Sequence, residues 1–237
     1  MKRVMALGCS HGVYADPVAV DAVLRFRDEF EPSVVVHLGD AIDVTALRSG
    51  ARGTADEGKR LEPDVDQGIT FLQQLRPTVY LWGNHEDRLW RLRDHPNAIV
   101  SYAAIQIANA LNETCRKLKC KVVPYTGIYQ GVVCGGVRFM HGVMYSENAV
   151  RDHAESFGAC VFAHTHRAGM AVGRRSDFPI AFCVGTLSKM ENMDYAKARR
   201  STLSWSQGFV FGEFNDRRCQ LWLHEQPRTA KDWILPS

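Results

Sequence analysis

Three short apolar segments in the first half of the chain each end in a glycine-containing polar cluster, and this repetition constrains the fold strongly. The segments span residues 3–7, 34–38 and 78–82. Stretches with the apolar spacing of helices, 17–30 and 64–75, separate them. A strand, helix, strand, helix, strand order predicts a parallel α/β sheet. Polar ligands gather beyond the carboxyl ends of such strands, so we expect the three clusters to meet at one edge of the sheet.

The second half of the chain predicts a second sheet. Helical patterns at 86–94, 99–111 and 147–157 accompany short apolar segments bounded by glycines. The predicted strands span 121–124, 128–134, 137–141, 160–163, 171–173, 180–184, 208–214 and 220–224. No stretch has the composition of a linker. We therefore predict a single α/β domain over residues 1–237, with two packed mixed β-sheets flanked by helices.

Two polar segments, at about 44–63 and 189–207, interrupt this pattern. Basic and aromatic residues concentrate in them, and the candidates for substrate binding are Arg48, Arg52, Tyr195, Arg199, Arg200 and Trp205. Arginines contact phosphates and aromatic rings stack on bases. A solvated polar surface is the alternative interpretation of both segments.

Charge and cysteine content exclude few classes of function, but they indicate the cellular compartment. The formal net charge of +3 neither supports nor excludes nucleic acid as a partner. The apolar run at 4–7 is shorter than the core of a signal peptide, and no segment has the length and apolarity of a membrane span. Seven cysteines without a Cys-x-x-Cys pair argue against disulfides and a zinc knuckle. We expect a cytoplasmic protein without a membrane partner.

Five short polar motifs follow predicted strands and together carry the chemistry. They are Cys9-Ser10-His11, Gly39-Asp40-Ala41-Ile42-Asp43, Gly83-Asn84-His85-Glu86, Met140-His141-Gly142 and His164-Thr165-His166. Carboxylate, imidazole and amide groups can hold a pair of divalent cations, and such pairs catalyse phosphate ester hydrolysis. Each motif alone has a simpler explanation as a turn or a helix cap, so the interpretation depends on the set.

In this order the motifs resemble the calcineurin-like metallophosphoesterase family over about residues 4–170. The family pattern runs Asp-x-His, Gly-Asp-x-x-Asp, Gly-Asn-His-Asp/Glu, His and Gly-His-x-His. The resemblance implies a four-layer α/β/β/α sandwich. It also implies attack on phosphorus by a hydroxide that bridges two metals.

The resemblance further implies a role for each matching residue. Ligands of the first metal are His11, Asp40 and His166, and those of the second are Asp40, Asn84, His141 and His164. His85 resembles the general acid, and imidazole suits that role because it exchanges protons near neutral pH. Asp43 and Glu86 are interpreted as residues that orient the histidines or the loop backbone. For Glu86, favourable charge at a helix amino end is the alternative.

Cys9 departs from the family pattern, since it occupies the place of the first aspartate. A thiolate ligand favours zinc or iron over magnesium, so we expect two divalent cations drawn from Mn, Zn or Fe, with Mg disfavoured. A neutral core thiol is the alternative. A nucleophilic Cys9 would need an arginine six residues later, and residue 15 is alanine. Ala163 in place of the glycine before His164 is a minor change.

Three hypotheses for function remain open at this point. Val44, Thr45 and Trp82 occupy positions where protein phosphatases have other residues, which argues against that activity. The chain looks more like small bacterial or bacteriophage-encoded phosphodiesterases, which would place it in the host cytoplasm if a phage encodes it. The first hypothesis is a phosphodiesterase or nuclease acting on single-stranded nucleic acid or nucleotides. The second is a phosphomonoesterase or pyrophosphatase acting on a small nucleotide, and the third is a scaffold with a degenerate metal site.

Overall fold

A computed structural model of the protein describes residues 1–126, 131–189, 193, 203–226 and 232–236. Its strands are β1 Lys2–Leu7, β2 Val34–His37, β3 Val79–Leu81, β4 Lys121–Val123, β5 Val132–Cys134, β6 Val137–Phe139, β7 Cys160–Phe162, β8 Gly169–Val172, β9 Ile180–Cys183, β10 Gly208–Phe214 and β11 Cys219–Glu225. Its α-helices are α1 Pro17–Phe30, α2 Leu61–Leu75, α3 Asn84–Leu92, α4 Ala98–Lys117 and α5 Ala149–Phe157. Of these helices, none combines the length and apolarity that crossing a bilayer requires.

Two mixed sheets form the centre of the structure. The six-stranded sheet has the order β11-β10-β1-β2-β3-β4, in which β1 to β4 are parallel and β10 runs antiparallel to both of its neighbours. The five-stranded sheet has the order β5-β6-β7-β9-β8, with parallel pairs only between β6, β7 and β9. The predicted parallel half of the chain therefore forms the centre of the first sheet.

The sheets pack face to face, with helices on their outer faces. Along β1, Val4 and Ala6 point into the cluster between the sheets, where they join Phe139 and Val161 of the second sheet. Met5 and Leu7 alternate to the other face and pack against α1 and α2. Helix α5 covers the far side of the second sheet. The predicted fold class, two mixed sheets in a four-layer α/β/β/α sandwich, is confirmed.

Local sequence explains where the main helices begin. Asp16 caps α1, since its Oδ1 accepts a hydrogen bond from Val18 N, and Pro17 occupies the first helical position. Asn97 caps α4 in the same way. Helix α4 continues beyond the predicted end at residue 111, because Thr114 and Cys115 remain on its buried face. Tertiary packing thus outweighs the weaker helix propensity of Asn112 and Thr114.

The two polar segments differ in what the structure describes. Residues 44–63 contain two single-turn 3₁₀ helices, Thr45–Leu47 and Ala55–Gly58, before α2 begins. Of the second segment, residues 189, 193 and 203–207 are described. The predicted strand at 128–134 is present as β5, and residues 127–130 lie outside the described residues. The single-domain assignment stays a prediction.

Candidate metal centre

The carboxyl ends of five strands bring the predicted metal ligands to one place. Cys9 and His11 follow β1, Asp40 follows β2, and Asn84 begins α3 directly after β3. His141 follows β6 of the second sheet, while His164 and His166 follow β7. The site therefore lies where the edges of the two sheets meet.

Several of these residues have a backbone conformation that is rare outside glycine. The φ angles of Cys9, His11, Asp40, His164 and His166 lie between 53° and 60°. A left-handed conformation costs a residue with a side chain about 1–3 kcal/mol. Backbone hydrogen bonds hold the strained turns, among them Cys9 N to Gly39 O at 2.9 Å and His11 N to Asp40 O at 3.0 Å. Strain concentrated in this way is typical of functional sites.

One group of side chains surrounds Cys9. The ligand atoms of Cys9, His11 and His166 lie within 4.8 Å of one another, and all three residues are buried. His11 Nε2 and His166 Nε2 are 2.9 Å apart. His11 Nδ1 lies 3.1 Å from Asp43 Oδ2 and donates its proton to that carboxylate. The lone pair of His11 Nε2 therefore points toward His166.

A second group surrounds His141. His141 Nε2 lies 3.0 Å from Asn84 Oδ1 and 3.3 Å from His164 Nδ1, and Asn84 Oδ1 is 2.9 Å from His164 Nδ1. His141 Nδ1 donates to Leu38 O at 2.7 Å, which fixes the lone pair of the ring on Nε2. Asn84, His141 and His164 are the predicted ligands of the second metal, and the structure brings them together.

Asp40 lies between the two groups. Its Oδ2 is 3.3 Å from His141 Nε2 and 4.0 Å from His11 Nε2. Although burial would raise the pKa of Asp40, the histidines around it, His141 first, hold that pKa well below its usual value. The carboxylate is thus ionised and placed where a residue shared by two cations would lie.

The close approach of Asp40 to the histidines depends on glycines. A Cβ atom on Gly83 would overlap the Asp40 carboxylate. Gly39 has a φ of 103°, and a Cβ there would lie 2.5 Å from Gly83 N and 2.7 Å from His141 Nδ1. Both positions therefore require glycine.

The titration behaviour of the histidines fits cation binding. Burial opposes charge on His11 and His141, yet the Asp43 hydrogen bond and the Asp40 carboxylate raise the pKa of His11, and Asp40 raises the pKa of His141. Burial and the neighbouring imidazoles lower the pKa of His164 to about 3 and that of His166 well below its usual value. His164 and His166 are therefore neutral, which is the form that binds metal.

The donor set is left unsatisfied by the protein alone, and this is the test of whether a cation fits. His166 Nδ1 is buried and has no hydrogen-bond partner among the described residues, while its Nε2 faces the lone pair of His11. Either tautomer of His166 leaves one buried nitrogen unpaired. In the second group, His141 Nε2 lies 3.3 Å from Asp40 Oδ2, so imidazole, amide and carboxylate donors converge there. A divalent cation held by His11 and His166 would satisfy the nitrogens of the first group, and the donors of the second group are of the kinds that bind divalent cations, so the residues fit the metals that the sequence predicts.

Cys9 belongs to both groups. Its Sγ lies within 4.8 Å of ligand atoms of His11 and His166, and also of Asp40 and His141. Burial, together with the charge of Asp40, raises the pKa of the Cys9 thiol well above its ordinary value. The thiol is therefore neutral in the protein alone, and a bound cation would be needed to ionise it.

His85 lies at the edge of the site, beside a predicted ligand. Its Nε2 is 3.9 Å from Asp40 Oδ2, and its backbone N donates to Asp40 Oδ1 at 3.0 Å. His85 Nδ1 donates to the carbonyl oxygen of Asp43 at 2.7 Å. Nε2 is therefore the ring nitrogen on the side of Asp40. Asp43 contacts both His11 and His85, as expected of a residue that orients histidines.

Glu86 joins two of the motifs. Its buried carboxylate accepts hydrogen bonds from the backbone N of Asp40 at 2.9 Å, of Ala41 at 2.8 Å and of Gly83 at 2.8 Å, and from Tyr80 Oη at 2.7 Å. These contacts extend beyond the amino end of α3, so charge at a helix end does not account for them.

The predicted substrate-binding residues are dispersed. Trp205 lies on the site, with its ring centroid 4.3 Å from that of His166. Arg48 and Arg52 lie in the first polar segment and line a cavity that also contacts Asn84. Tyr195, Arg199 and Arg200 lie outside the described residues.

Three residues that support the site are absent from the sequence predictions. Asp64 of α2 accepts hydrogen bonds from the backbone N of Val13, Asp43 and Val44. Thr186 Oγ1 donates to Cys9 O at 2.7 Å. Arg88 donates to Asp43 O at 3.1 Å, and its position one helical turn after Asn84 is the one sequence signal that could have identified it.

Comparison with known proteins identifies the family. The sequence model described as calcineurin-like phosphoesterase matches residues 2–168, which is most of the chain. The chain belongs to this family. The resemblance stated from the motifs is thereby confirmed, and family membership implies metal-dependent hydrolysis of phosphoesters by means of divalent metal ions.

Relatives of this phosphoesterase include phage proteins. The Gene 54 proteins of Mycobacterium phages D29 and L5 are each 28% identical, and each alignment covers 88% of this chain and 87% or 88% of the relative. Among solved structures, the hypothetical protein PH1004 from Pyrococcus horikoshii OT3 is similar with a TM-score of 0.50 and 13% identity, over 95% of this chain and 88% of that chain. That structural likeness supports the fold.

Proposed function

We propose that this protein is a phosphodiesterase that uses two divalent cations to hydrolyse nucleotides or single-stranded nucleic acid. The observation that best supports the proposal is the convergence of buried imidazoles on the Asp40 carboxylate where the two sheets meet, with His11 Nε2 and His166 Nε2 facing each other at 2.9 Å. His166 Nδ1 has no hydrogen-bond partner among the described residues, and a buried polar atom of that kind calls for an explanation such as a bound ion. Family membership supplies the phosphoester class of the reaction.

The ligand sets follow from the two groups of side chains. Cys9, His11, Asp40 and His166 would hold one cation, and Asp40, Asn84, His141 and His164 would hold the other. When bound, the cations supply Lewis acidity, which activates water and neutralises charge on the phosphoryl group. Because Cys9 belongs to both groups, we assign it as a ligand, and its thiolate favours zinc or iron over magnesium.

The remaining site residues position the substrate and move a proton. His85 donates a proton from Nε2 to the leaving oxygen, while the Asp43 carbonyl holds its Nδ1. Glu86 ties the loop that carries Asp40 to Gly83 at the start of α3, since it accepts two backbone hydrogen bonds from that loop and one from Gly83. Trp205, beside His166, offers an aromatic face for a base.

Metal content and turnover of bis(p-nitrophenyl) phosphate test this proposal together. Four proteins are compared: wild type, Cys9→Ala, Cys9→Asp and His85→Ala. Each is freed of metal with a chelator and reconstituted with manganese, zinc, iron or magnesium, and its metal content and turnover are then measured. We expect two metals per chain in wild type, one lost in Cys9→Ala and restored in Cys9→Asp. His85→Ala should retain its metals and lose about 100-fold or more in turnover, as is typical for the loss of a general acid.

Each alternative has a distinct result. A Cys9→Ala variant with unchanged metal content would place Cys9 in the core as a neutral thiol. Absence of both metal and turnover from every variant would favour the scaffold hypothesis. Faster hydrolysis of p-nitrophenyl phosphate or nucleoside diphosphates than of the diester would favour a phosphomonoesterase or pyrophosphatase.

A further inference from the structure

A cavity of about 820 Å³ opens beside the candidate metal centre. It lies between the first polar segment and helices α3 and α4, and Asn84 forms part of its wall. Asn84 Oδ1 is 3.0 Å from His141 Nε2, so Asn84 borders both the cavity and the candidate metal centre. The volume lies within the range of about 300–1,000 Å³ that small-molecule sites occupy. It leaves room for more of the substrate than the phosphate that is cleaved.

The lining of this cavity carries excess positive charge. Its charged residues are Arg48, Arg52, Glu57, Asp87, Arg88 and Arg91. Arg91 pairs with Asp87 at 2.6 Å. Within the part of the chain that the structure describes, no carboxylate lies within 4.0 Å of the guanidinium of Arg52 or Arg88. Arg88 donates to the carbonyl oxygens of Asp43 and Val44, which leave its charge uncompensated.

The amino end of α4 adds to the positive electrostatic potential of the cavity. Asn97, the N-cap of this 20-residue helix, lines the cavity, and helix amino ends carry partial positive charge. His95 also lines the cavity, and its Nδ1 accepts a hydrogen bond from Asn97 N at 3.1 Å. The proton of the neutral ring is therefore on Nε2, where it can be donated to an anion.

We propose that this cavity binds a second phosphate group of the substrate, which is not cleaved. The inference rests on the proposed phosphodiesterase function and deepens it, because it assigns Arg52, Arg88, Arg91 and His95 to recognition beyond the scissile bond. The phosphate is either that of the next nucleotide in a strand or the terminal phosphate of a short nucleotide. Arginine suits both, since its guanidinium binds phosphate oxygens in pairs.

A series of thymidine substrates tests the proposal through relative kcat/KM. The series comprises the dinucleotide without terminal phosphate, the same dinucleotide with a 5′ or 3′ phosphate, and a single strand of about ten nucleotides. We expect a terminal phosphate to raise kcat/KM by about tenfold over the plain dinucleotide. A further rise per scissile bond in the longer strand would identify the strand as the source, and no further rise would identify the terminal phosphate.

Variants locate the effect in the cavity. Arg52→Ala and Arg91→Ala should each reduce the advantage of the phosphate-bearing dinucleotide several-fold. The matched control is Arg25→Ala, because Arg25 is exposed on α1 and pairs with Asp21 far from the cavity. The deciding quantity is kcat/KM for the phosphate-bearing dinucleotide divided by kcat/KM for the plain dinucleotide. If this ratio is near one in wild type, or if both cavity variants leave it unchanged, the proposal is overturned.

Binding gives a readout that does not depend on turnover. The association constant for a labelled, non-hydrolysable strand is measured at several salt concentrations. The logarithm of this constant falls linearly with the logarithm of the salt concentration, and each cavity variant should lower the magnitude of that slope by roughly 0.7. If no substrate is cleaved and this slope still falls in the cavity variants, the proposed reaction fails and the cavity site stands. If the diester is cleaved and the slope is unchanged, the cavity site fails and the reaction stands.

Discussion

Among single residues, Glu86 is a buried carboxylate that holds together two loops of the candidate metal centre. It has no exposed surface, and its four donors come from Tyr80, Gly83, Asp40 and Ala41. The backbone of Asp40 and the start of α3 are thereby held at a fixed separation. The positions of Asp40 and Asn84 relative to each other depend on this one side chain.

Replacement of Glu86 should therefore impair stability and metal binding together. In Glu86→Gln an amide NH₂ would face backbone N–H groups, leaving buried donors unpaired. We expect the free energy of unfolding to fall by about 2–4 kcal/mol, and the metal dissociation constant to rise at least tenfold. Urea denaturation of the metal-free protein and metal titration measure the two effects separately.

The matched control is Glu113→Gln, which makes the same chemical change on the exposed face of α4, where Glu113 pairs with Arg116. It should leave metal affinity unchanged. If Glu86→Gln binds metal as tightly as this control, Glu86 has no role in positioning the site.

At the scale of elements, helix α2 supports the loop that carries Asp43. Asp64, in the first turn of α2, is buried and accepts hydrogen bonds from the backbone of Asp43 and Val44 and from Val13. The loops after β1 and β2 are thus tied to one helix. Because Asp43 in turn contacts His11 and His85, a change in α2 should reach the metal centre.

Asp64→Asn tests this coupling. The substituted amide would place a donor against Val44 N, so we expect a loss of about 1–3 kcal/mol in the free energy of unfolding and weaker metal binding. Asp66→Asn, on the exposed face of the same helix, removes the same charge and serves as the control. Equal stability of the two variants would refute the supporting role of Asp64.

The contrast between Asp64 and the motif residues shows how far sequence predicts this site. Asp40 and His141 are predictable because they directly follow apolar segments whose strand character is evident. Asp64 gives no such signal, since it acts on residues about 20 positions away in the chain and resembles Asp66 in every local respect. Composition alone suggests Trp205 as a substrate-binding candidate, and its position against His166 depends on tertiary packing, which the local sequence does not indicate.

The strand order of the first sheet is only partly predictable from the sequence. The alternation of strands and helices implies the parallel part, β1 to β3. That β10 and β11 return to its other edge depends on long-range pairing, for which the local pattern holds no information. The predicted end of α4 at residue 111 is wrong, because burial of Thr114 and Cys115 extends the helix to Lys117.

At the scale of the whole molecule, the candidate metal centre connects the two sheets. The proposed ligands follow β1, β2 and β3 of the first sheet and β6 and β7 of the second. These ligands come from distant parts of the chain, from Cys9 to His166, so the unfolded chain does not present them together. A cation that binds the folded state alone stabilises it in proportion to the logarithm of its concentration.

Metal removal should therefore lower the melting temperature of the whole protein. At a metal concentration 100 times the dissociation constant the stabilisation is about 2.7 kcal/mol, which for a chain of this size corresponds to roughly 5–10 °C. Calorimetry of stripped protein, with increasing zinc or magnesium, measures the shift. Because Cys9 offers a thiolate, zinc should raise the melting temperature at lower concentration than magnesium. The Asp40→Asn variant should lose most of the shift with either ion, since it removes the one carboxylate that both ligand groups share. Equal melting temperatures of stripped and metal-loaded wild type would mean that no cation links the sheets.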